Sequence, residues 1–144
     1  VKTSLEKMGQ EMLFWKVAMK PGKPLAFGRI NDVPIFGLPG NPVSSFVSFE
    51  QFVRPSIRKM MGATQLNHKS VQAKLTRTVY KKAGRQHFLS AYVNWEDGEC
   101  TVSPTQEQGS GILKSTVNAN GLLIFPLELT EMTEGTEVTV QLLY

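Results

Sequence analysis

Lys20-Pro-Gly-Lys-Pro24 and Gly37-Leu-Pro-Gly-Asn-Pro-Val-Ser44 are the stretches of this chain whose residue types and spacing could do chemistry. The first sets two lysines three positions apart on a turn stiffened by Pro and Gly, so neither cation has far to wander. The second reads as a strand end, a tight Pro-Gly turn and a helix start, with Asn41 as N-cap and Pro42 as first helical residue. A helix start presents unpaired N–H groups and a partial positive charge, which together suit an oxyanion. Two held lysines beside such a start predict a small oxyanion site.

The elements that must position these residues follow from periodicity. Leu5, Met8 and Met12 recur at helical spacing and predict a helix over Lys2–Met12. Phe14–Met19 reads as a strand running into the first lysine motif, Leu25–Ile30 as a second strand, and Val33–Leu38 as a third, short and buried. Val43, Phe46, Val47, Val53, Ile57, Met60 and Met61 trace the apolar face of a long helix ended by Gly62 and kinked or split by Pro55. Beyond about residue 66 the pattern alternates with period two, in Val71–Val79, His87–Val93 and Glu137–Leu143. Turns are expected at Asp97-Gly98, Asn120-Gly121 and Glu134-Gly135. The fold class is therefore an α/β segment over residues 1–66 followed by a small all-β barrel over residues 67–144, the boundary falling in 63–67. The α/β part is too short for a complete doubly wound domain, so an edge of its sheet needs more chain.

Composition excludes more than it selects. At 41% hydrophobic and 19% charged the chain is ordinary for a soluble protein, and no apolar run approaches the roughly 20 residues of a membrane span. Nothing in Val1-Lys-Thr-Ser-Leu-Glu-Lys resembles a signal peptide. Cys100 is alone and His68 and His87 are the only histidines, which disfavours a disulfide or a protein-built transition-metal site and points to the cytosol. The net charge of +4 hides a split: 15 of the 16 Lys/Arg but 4 of the 12 Asp/Glu precede residue 86. The basic part faces something anionic. Scattered residues such as Lys2, Lys7, Lys81 and Lys82 read more simply as solvated surface. With no basic helix, Lys/Arg run or aromatic-rich strand pair, nucleic acid is a weak candidate.

Phe14-Trp-Lys-x-Ala-x-Lys-Pro-Gly-Lys-Pro-x-x-Phe27, then Gly-Leu-Pro-Gly-Asn-Pro-Val-Ser44, then a β module with Gly84-Arg85 and Gln108-Gly-Ser-Gly111 resembles the molybdopterin molybdenumtransferase (MoeA) family, which includes the E domain of gephyrin. The resemblance covers almost the whole chain, in order and in spacing. It implies the end of a three-layer, MogA-like domain III plus a β-barrel domain IV. It also implies insertion of molybdate into adenylylated molybdopterin (molybdopterin-AMP) with release of AMP, a divalent cation (Mg²⁺) being present, in a homodimer with no membrane and no nucleic acid.

Carried over position by position, the family's molybdate site falls on Lys20, Lys23, Pro24, Ser44, Arg85 and Ser110. Gly22, Pro39, Gly40 and Asn41 are the accompanying cofactor-binding positions. The chemistry of the residues agrees: molybdate is a tetrahedral dianion, held by fixed cations and short donors. Lys20 and Lys23 supply charge, Arg85 can fork onto two oxygens, and Ser44 offers a hydroxyl beside free helix N–H groups. Ser110, between two glycines, lets backbone approach the ion. The barrel residues and the lysines of the other module are then expected to meet in a cleft.

Taken singly, each has a plainer explanation: surface lysines on a turn, an ordinary first-turn serine, a solvated hairpin-tip arginine, a flexible Gly-Ser-Gly turn. Together, in two modules and in family order, they select the site. Phe27, Phe36, Phe46, Trp15 and Trp95 read as packing residues. Two departures stand out. Ser90, in Phe88-Leu-Ser-Ala91, occupies the place of the family's Phe-x-Arg-Gly arginine, with His87 as its only nearby substitute. The family's Gly-Gly-Val-Ser-x-Gly-x-x-Asp stretch, with its catalytic aspartate, does not occur in these residues. No residue present is a convincing acid, base or nucleophile, so the expected role is electrostatic positioning, and these residues alone are expected to be inactive and to self-associate. A gephyrin-like scaffold clustering a membrane receptor, or a dimerising remnant, are the alternative readings.

Overall fold

The computed structural model describes residues 11–105 and 116–143. These divide into two compact units, one ending at Leu66 and the other beginning at Asn67.

In the first unit, β1 (Glu11–Trp15), β3 (Ala26–Ile30) and β4 (Val33–Gly37) form an antiparallel sheet in the order β1-β3-β4, and a two-residue strand, β2 (Met19–Lys20), lies in the connection between β1 and β3. Phe14, Phe27 and Phe36 stand opposite one another across the three strands, with ring centroids 5.4 and 4.7 Å apart. Phe52 of the helical segment comes within 6.4 Å of Phe14, so the helix covers this aromatic row. Cross-strand aromatic pairs of this kind are each worth about 0.2–1 kcal/mol. Asn31 and Asp32, at φ 47° and 66°, make the two-residue turn between β3 and β4. Their short polar side chains tolerate the left-handed conformation that such a hairpin requires.

Several expectations for this unit change. Of the helix expected over Lys2–Met12, residues 2–10 lie outside the described residues, and Met12 is in a strand. Glu11 and Met12 pair with Arg29 and Gly28, and the Glu11 carboxylate accepts from Arg29 Nε at 2.6 Å. β4 is a sheet edge and not a buried strand, since Val33 is 61% exposed. Trp15, on the other edge strand, is also partly exposed. The long helix is a continuous helical run: α1 (Pro42–Ser48), a π-helical turn over Phe49–Val53, and α2 (Arg54–Met60). Arg54 N–H donates to the Phe49 carbonyl five residues back. This widened turn accommodates Pro55, which has no N–H to give and whose ring crowds the carbonyl four residues before it. Gly62, at φ 78°, ends the run as expected.

The second unit is a barrel of β5 (Ser70–Leu75), β7 (Gln86–Glu96), β8 (Glu99–Pro104), β9 (Gly121–Phe125) and β11 (Glu137–Leu142). The circuit runs β5-β8-β7-β9-β11 and returns to β5, with only the β5–β8 contact parallel. β6 (Val79–Tyr80) and β10 (Glu131–Met132) pair beside it. Alternate residues of each strand face inward, and Leu75, Ala91, Val102, Leu123, Phe125 and Val140 are among those that fill the interior. Asp97-Gly98 and Glu134-Gly135 are turns, as expected.

Asn120-Gly121 is not a turn. Asn120 Oδ1 accepts from Val93 N–H at 2.7 Å and its Nδ2 donates to the Val93 carbonyl at 2.9 Å, so the side chain pairs with β7 as a strand backbone would. Gly121 opens β9 where a Cβ would stand 2.8 Å from both Val93 Cγ2 and Val140 Cγ1. Barrel closure, and not a reversal of chain, requires this glycine. The strand expected to reach Val79 stops at Leu75, and Val79 belongs to the separate short strand β6. Trp95, expected to pack, is 54% exposed on β7 near the hairpin tip.

Candidate functional site

The two lysines of the first motif lie on a loop tied at its neck. Lys16 N–H donates to the Leu25 carbonyl at 2.9 Å, Val17 N–H to the Lys23 carbonyl at 3.0 Å, and Met19 N–H to the Val17 carbonyl at 2.8 Å. Lys20 ends β2 and is followed by a cis peptide to Pro21. Lys20, Lys23 and Pro24 are exposed, whereas Gly22 between the lysines is buried. Gly22 has φ 105°, and a Cβ there would lie 2.5 Å from Met19 Cε and 2.7 Å from Ser48 Oγ. The loop therefore rests directly on α1, and only a glycine fits at the contact. Ser44 precedes Ser48 by one helical turn, about 6 Å along the axis and on the same face. This seating brings the lysine pair and the helix that carries Ser44 into one structure.

The second motif folds as read, with one consequence for the site. Asn41 caps α1, its Oδ1 accepting from Val43 N–H at 3.0 Å and Ser44 N–H at 3.2 Å. Ser45 N–H donates to the Asn41 carbonyl at 2.8 Å, and Pro42 has no N–H. The helix-start donors expected beside Ser44 are thus taken up by the cap itself. An anion there must be held by side chains. Ser45 Oγ donates to the carbonyl of buried Pro39, which pins the Pro-Gly turn to the helix, while Gly40 and Asn41 stay exposed. Ser44 is half-buried, and its hydroxyl has no hydrogen-bond partner among the described residues.

Most other cations of the basic part already have work. Arg29 pairs with Glu11 and Asp32, Arg54 with Glu50, and Lys74 with Glu99, whose hydrogen bond and charge hold the Lys74 ammonium above its ordinary pKa. Arg77 donates to the Pro104 and Thr105 carbonyls. Lys81, expected to be merely solvated, donates to the Leu127 carbonyl and lies 4.8 Å from the Phe125 ring centroid. Lys20, Lys23 and Arg85 have no ion pair among the described residues, as is also true of Lys16, Lys59, Lys69 and Lys82, so what distinguishes the first two is their place on the loop seated on α1.

Arg85 belongs to the second unit, exposed in the turn that leads into β7 after Gly84 at φ 94°. Ser110 lies outside the described residues. Ser90 Oγ and Thr116 Oγ1 are 3.0 Å apart, so the Ser90 hydroxyl is already engaged. His87 is buried with its ring edge-on to Phe125, which makes it a core residue and not a replacement for the family arginine. Glu96, Asp97 and Glu99 line a concavity at the β7–β8 tip, and its charge repels an oxyanion. Among the described residues no group of three or more His, Cys, Asp or Glu could hold a metal ion. No described helix is long and apolar enough to cross a membrane.

Sequence reading missed Ser48, the hydroxyl beneath the lysine loop. It is fully buried and has no hydrogen-bond partner among the described residues, an arrangement that costs about 1–3 kcal/mol. Its spacing of four from Ser44 was the available signal.

Comparison with known proteins adds a lineage to this geometry. Residues 72–143 match the family described as MoeA C-terminal region (domain IV), and residues 1–59 match the one described as Probable molybdopterin binding domain. The molybdopterin molybdenumtransferase of Haemophilus influenzae is 39% identical over 97% of this chain and 35% of its own length. Molybdopterin molybdenumtransferase 2 of Mycobacterium tuberculosis is 39% identical over 88% of this chain and 31% of its own. The solved structure of the molybdopterin biosynthesis MoeA protein from Pyrococcus horikoshii superposes with a TM-score of 0.81 at 30% identity, covering 98% of this chain and 34% of that one. The chain spans about a third of the length of the curated relatives it matches.

Proposed function

The chain belongs to the MoeA family, and we propose that it acts as part of a molybdopterin molybdenumtransferase, inserting molybdate into adenylylated molybdopterin with release of AMP. The observation that carries this reading is the Lys20–Lys23 loop seated on α1 through Gly22, with both lysines exposed and no carboxylate paired to them among the described residues. Lys20 and Lys23 supply two fixed positive charges to a tetrahedral dianion. Ser44 offers a hydroxyl from the helix on which the loop rests. The resemblance adds Arg85 and Ser110 to the set of anion ligands, and the exposed Arg85 guanidinium can fork onto two oxygens. Pro24 stiffens the end of the loop, and Gly22, Pro39, Gly40 and Asn41 shape the surface that meets the pterin.

These residues hold and orient the anion and neutralise its charge; none transfers a proton. Such preorganised charge accelerates metal insertion by holding molybdate against the dithiolene sulfurs of the pterin. Among the described residues no group of three or more His, Cys, Asp or Glu could hold a magnesium ion, which would be carried chiefly by phosphate oxygens of the substrate. The resemblance implies a cytosolic homodimer, and Leu13 and Trp15 of edge strand β1, 53% and 42% exposed, call for more chain or a partner to cover them.

The test is AMP release by the full-length protein from molybdopterin-AMP on addition of molybdate. Activity in the parent and its loss in the Lys20→Ala/Lys23→Ala double variant support the reading. A double variant as active as the parent overturns it.

A further inference from the structure

Ser48 has no task in the site described so far. Serines in helices ordinarily donate to the carbonyl four residues back, as Ser56 does to Phe52 at 2.7 Å. Ser45 finds the Pro39 carbonyl instead. Ser48 does neither. Its hydroxyl, with no solvent exposure, faces Gly22 at the tip of the lysine loop, 2.7 Å from where a Cβ would stand.

We propose that Ser48 is a positioning residue of the oxyanion site, its buried hydroxyl being the donor onto which the Lys20–Lys23 loop settles when an anion draws the two lysines together. The inference rests on the oxyanion reading above. Lys20 and Lys23 flank Gly22 and repel one another, and a dianion between them removes that repulsion. The neck of the loop is fixed by the Lys16 and Val17 hydrogen bonds. Adjustment therefore falls on the tip, where Gly22 has no side chain to hold the backbone off Ser48. A tip carbonyl drawn inward meets a hydroxyl that otherwise has no partner. The hydrogen bond forms only in the bound arrangement, so its free energy adds to affinity and not to the stability of the unbound fold.

The experiment titrates full-length parent, Ser48→Ala and Ser48→Thr with molybdate by calorimetry, and melts each without ligand. Ser48→Ala is expected to melt at or above the parent temperature, because an unsatisfied polar group is gone, yet to bind molybdate about three- to tenfold more weakly. Ser48→Thr, which keeps the hydroxyl, is expected to bind within about twofold of the parent. In the parent alone, molybdate should slow amide exchange in the Lys20–Lys23 loop. Ser48→Ala binding as tightly as the parent overturns the proposal. So do affinity and melting temperature falling together, the mark of a plain packing role. A parent that binds no molybdate overturns the oxyanion reading itself, and this inference with it.

Discussion

Replacing Lys23 by Ala removes one of two exposed cations from a loop whose helix partner has no backbone donors to spare. The cap of α1 occupies the Val43, Ser44 and Ser45 N–H groups, so the lost charge cannot be made good by the helix start. A charge-assisted contact contributes about 1.5–3 kcal/mol, one to two powers of ten in affinity. Lys23 is exposed, so water screens it and the lower end applies: about a tenfold loss of molybdate affinity at low salt. The same exposure makes the parent salt-sensitive, with affinity falling as ionic strength passes roughly 0.1 M, where the screening length is about 10 Å. Lys82→Ala is the control, an exposed cation close to Arg85 in sequence but outside the proposed site. It should change the affinity less than twofold, whereas Arg85→Ala should act like Lys23→Ala. Calorimetric titration of the full-length protein decides. Equal losses for Lys82→Ala, Lys23→Ala and Arg85→Ala would mean that the basic part attracts anions diffusely and that no built site exists.

Three further outcomes concern the frame that holds the site. Gly121→Ala forces a methyl against two buried valines and should destabilise the barrel by about 1–3 kcal/mol in urea denaturation; an unchanged midpoint would refute the closure argument. Asn120→Ala strips the Val93 N–H and carbonyl of their partner and should cost about 1–3 kcal/mol, measured the same way, with a loss under about 0.5 kcal/mol counting against a ladder-like role. Burial pushes the Cys100 thiol above its ordinary pKa, so its thiolate fraction near pH 7.5 is below that of a free cysteine. Alkylation by iodoacetamide should be correspondingly slow and should accelerate only well into the alkaline range, a normal thiol rate at pH 7.5 being the contrary result.

What the sequence determined by itself was whatever depends on neighbours along the chain. Asn41-Pro42 starts a helix because the cap bonds reach only two or three residues ahead. Gly62 stops one because a left-handed residue is needed there, and Asp97-Gly98 turns the chain for the same reason. The period-two alternation in β5, β7 and β11 marked a β module, since each inward residue must be apolar whichever strand lies beside it. The lysine pair and Ser44 were legible as residue types in family order.

Tertiary structure alone decided what depends on groups far apart in sequence. Asn120-Gly121 carries the local signature of a turn, but the Val93 backbone 27 residues away claims the asparagine, and two valines from different strands claim the space a side chain would fill. Met12 fits a helical pattern, yet β3 offers its backbone a ladder. Pro55 threatened a break, and a widened turn absorbed it, with Arg54 N–H reaching back to the Phe49 carbonyl. The proposed oxyanion site changed most. Its helix donors, free on paper, are consumed by the cap that sequence reading had identified, and the buried hydroxyl of Ser48 comes into view only when Gly22 is laid upon it. Local signals specify which elements form. Which polar groups remain available for a ligand is settled only after the fold has satisfied its own.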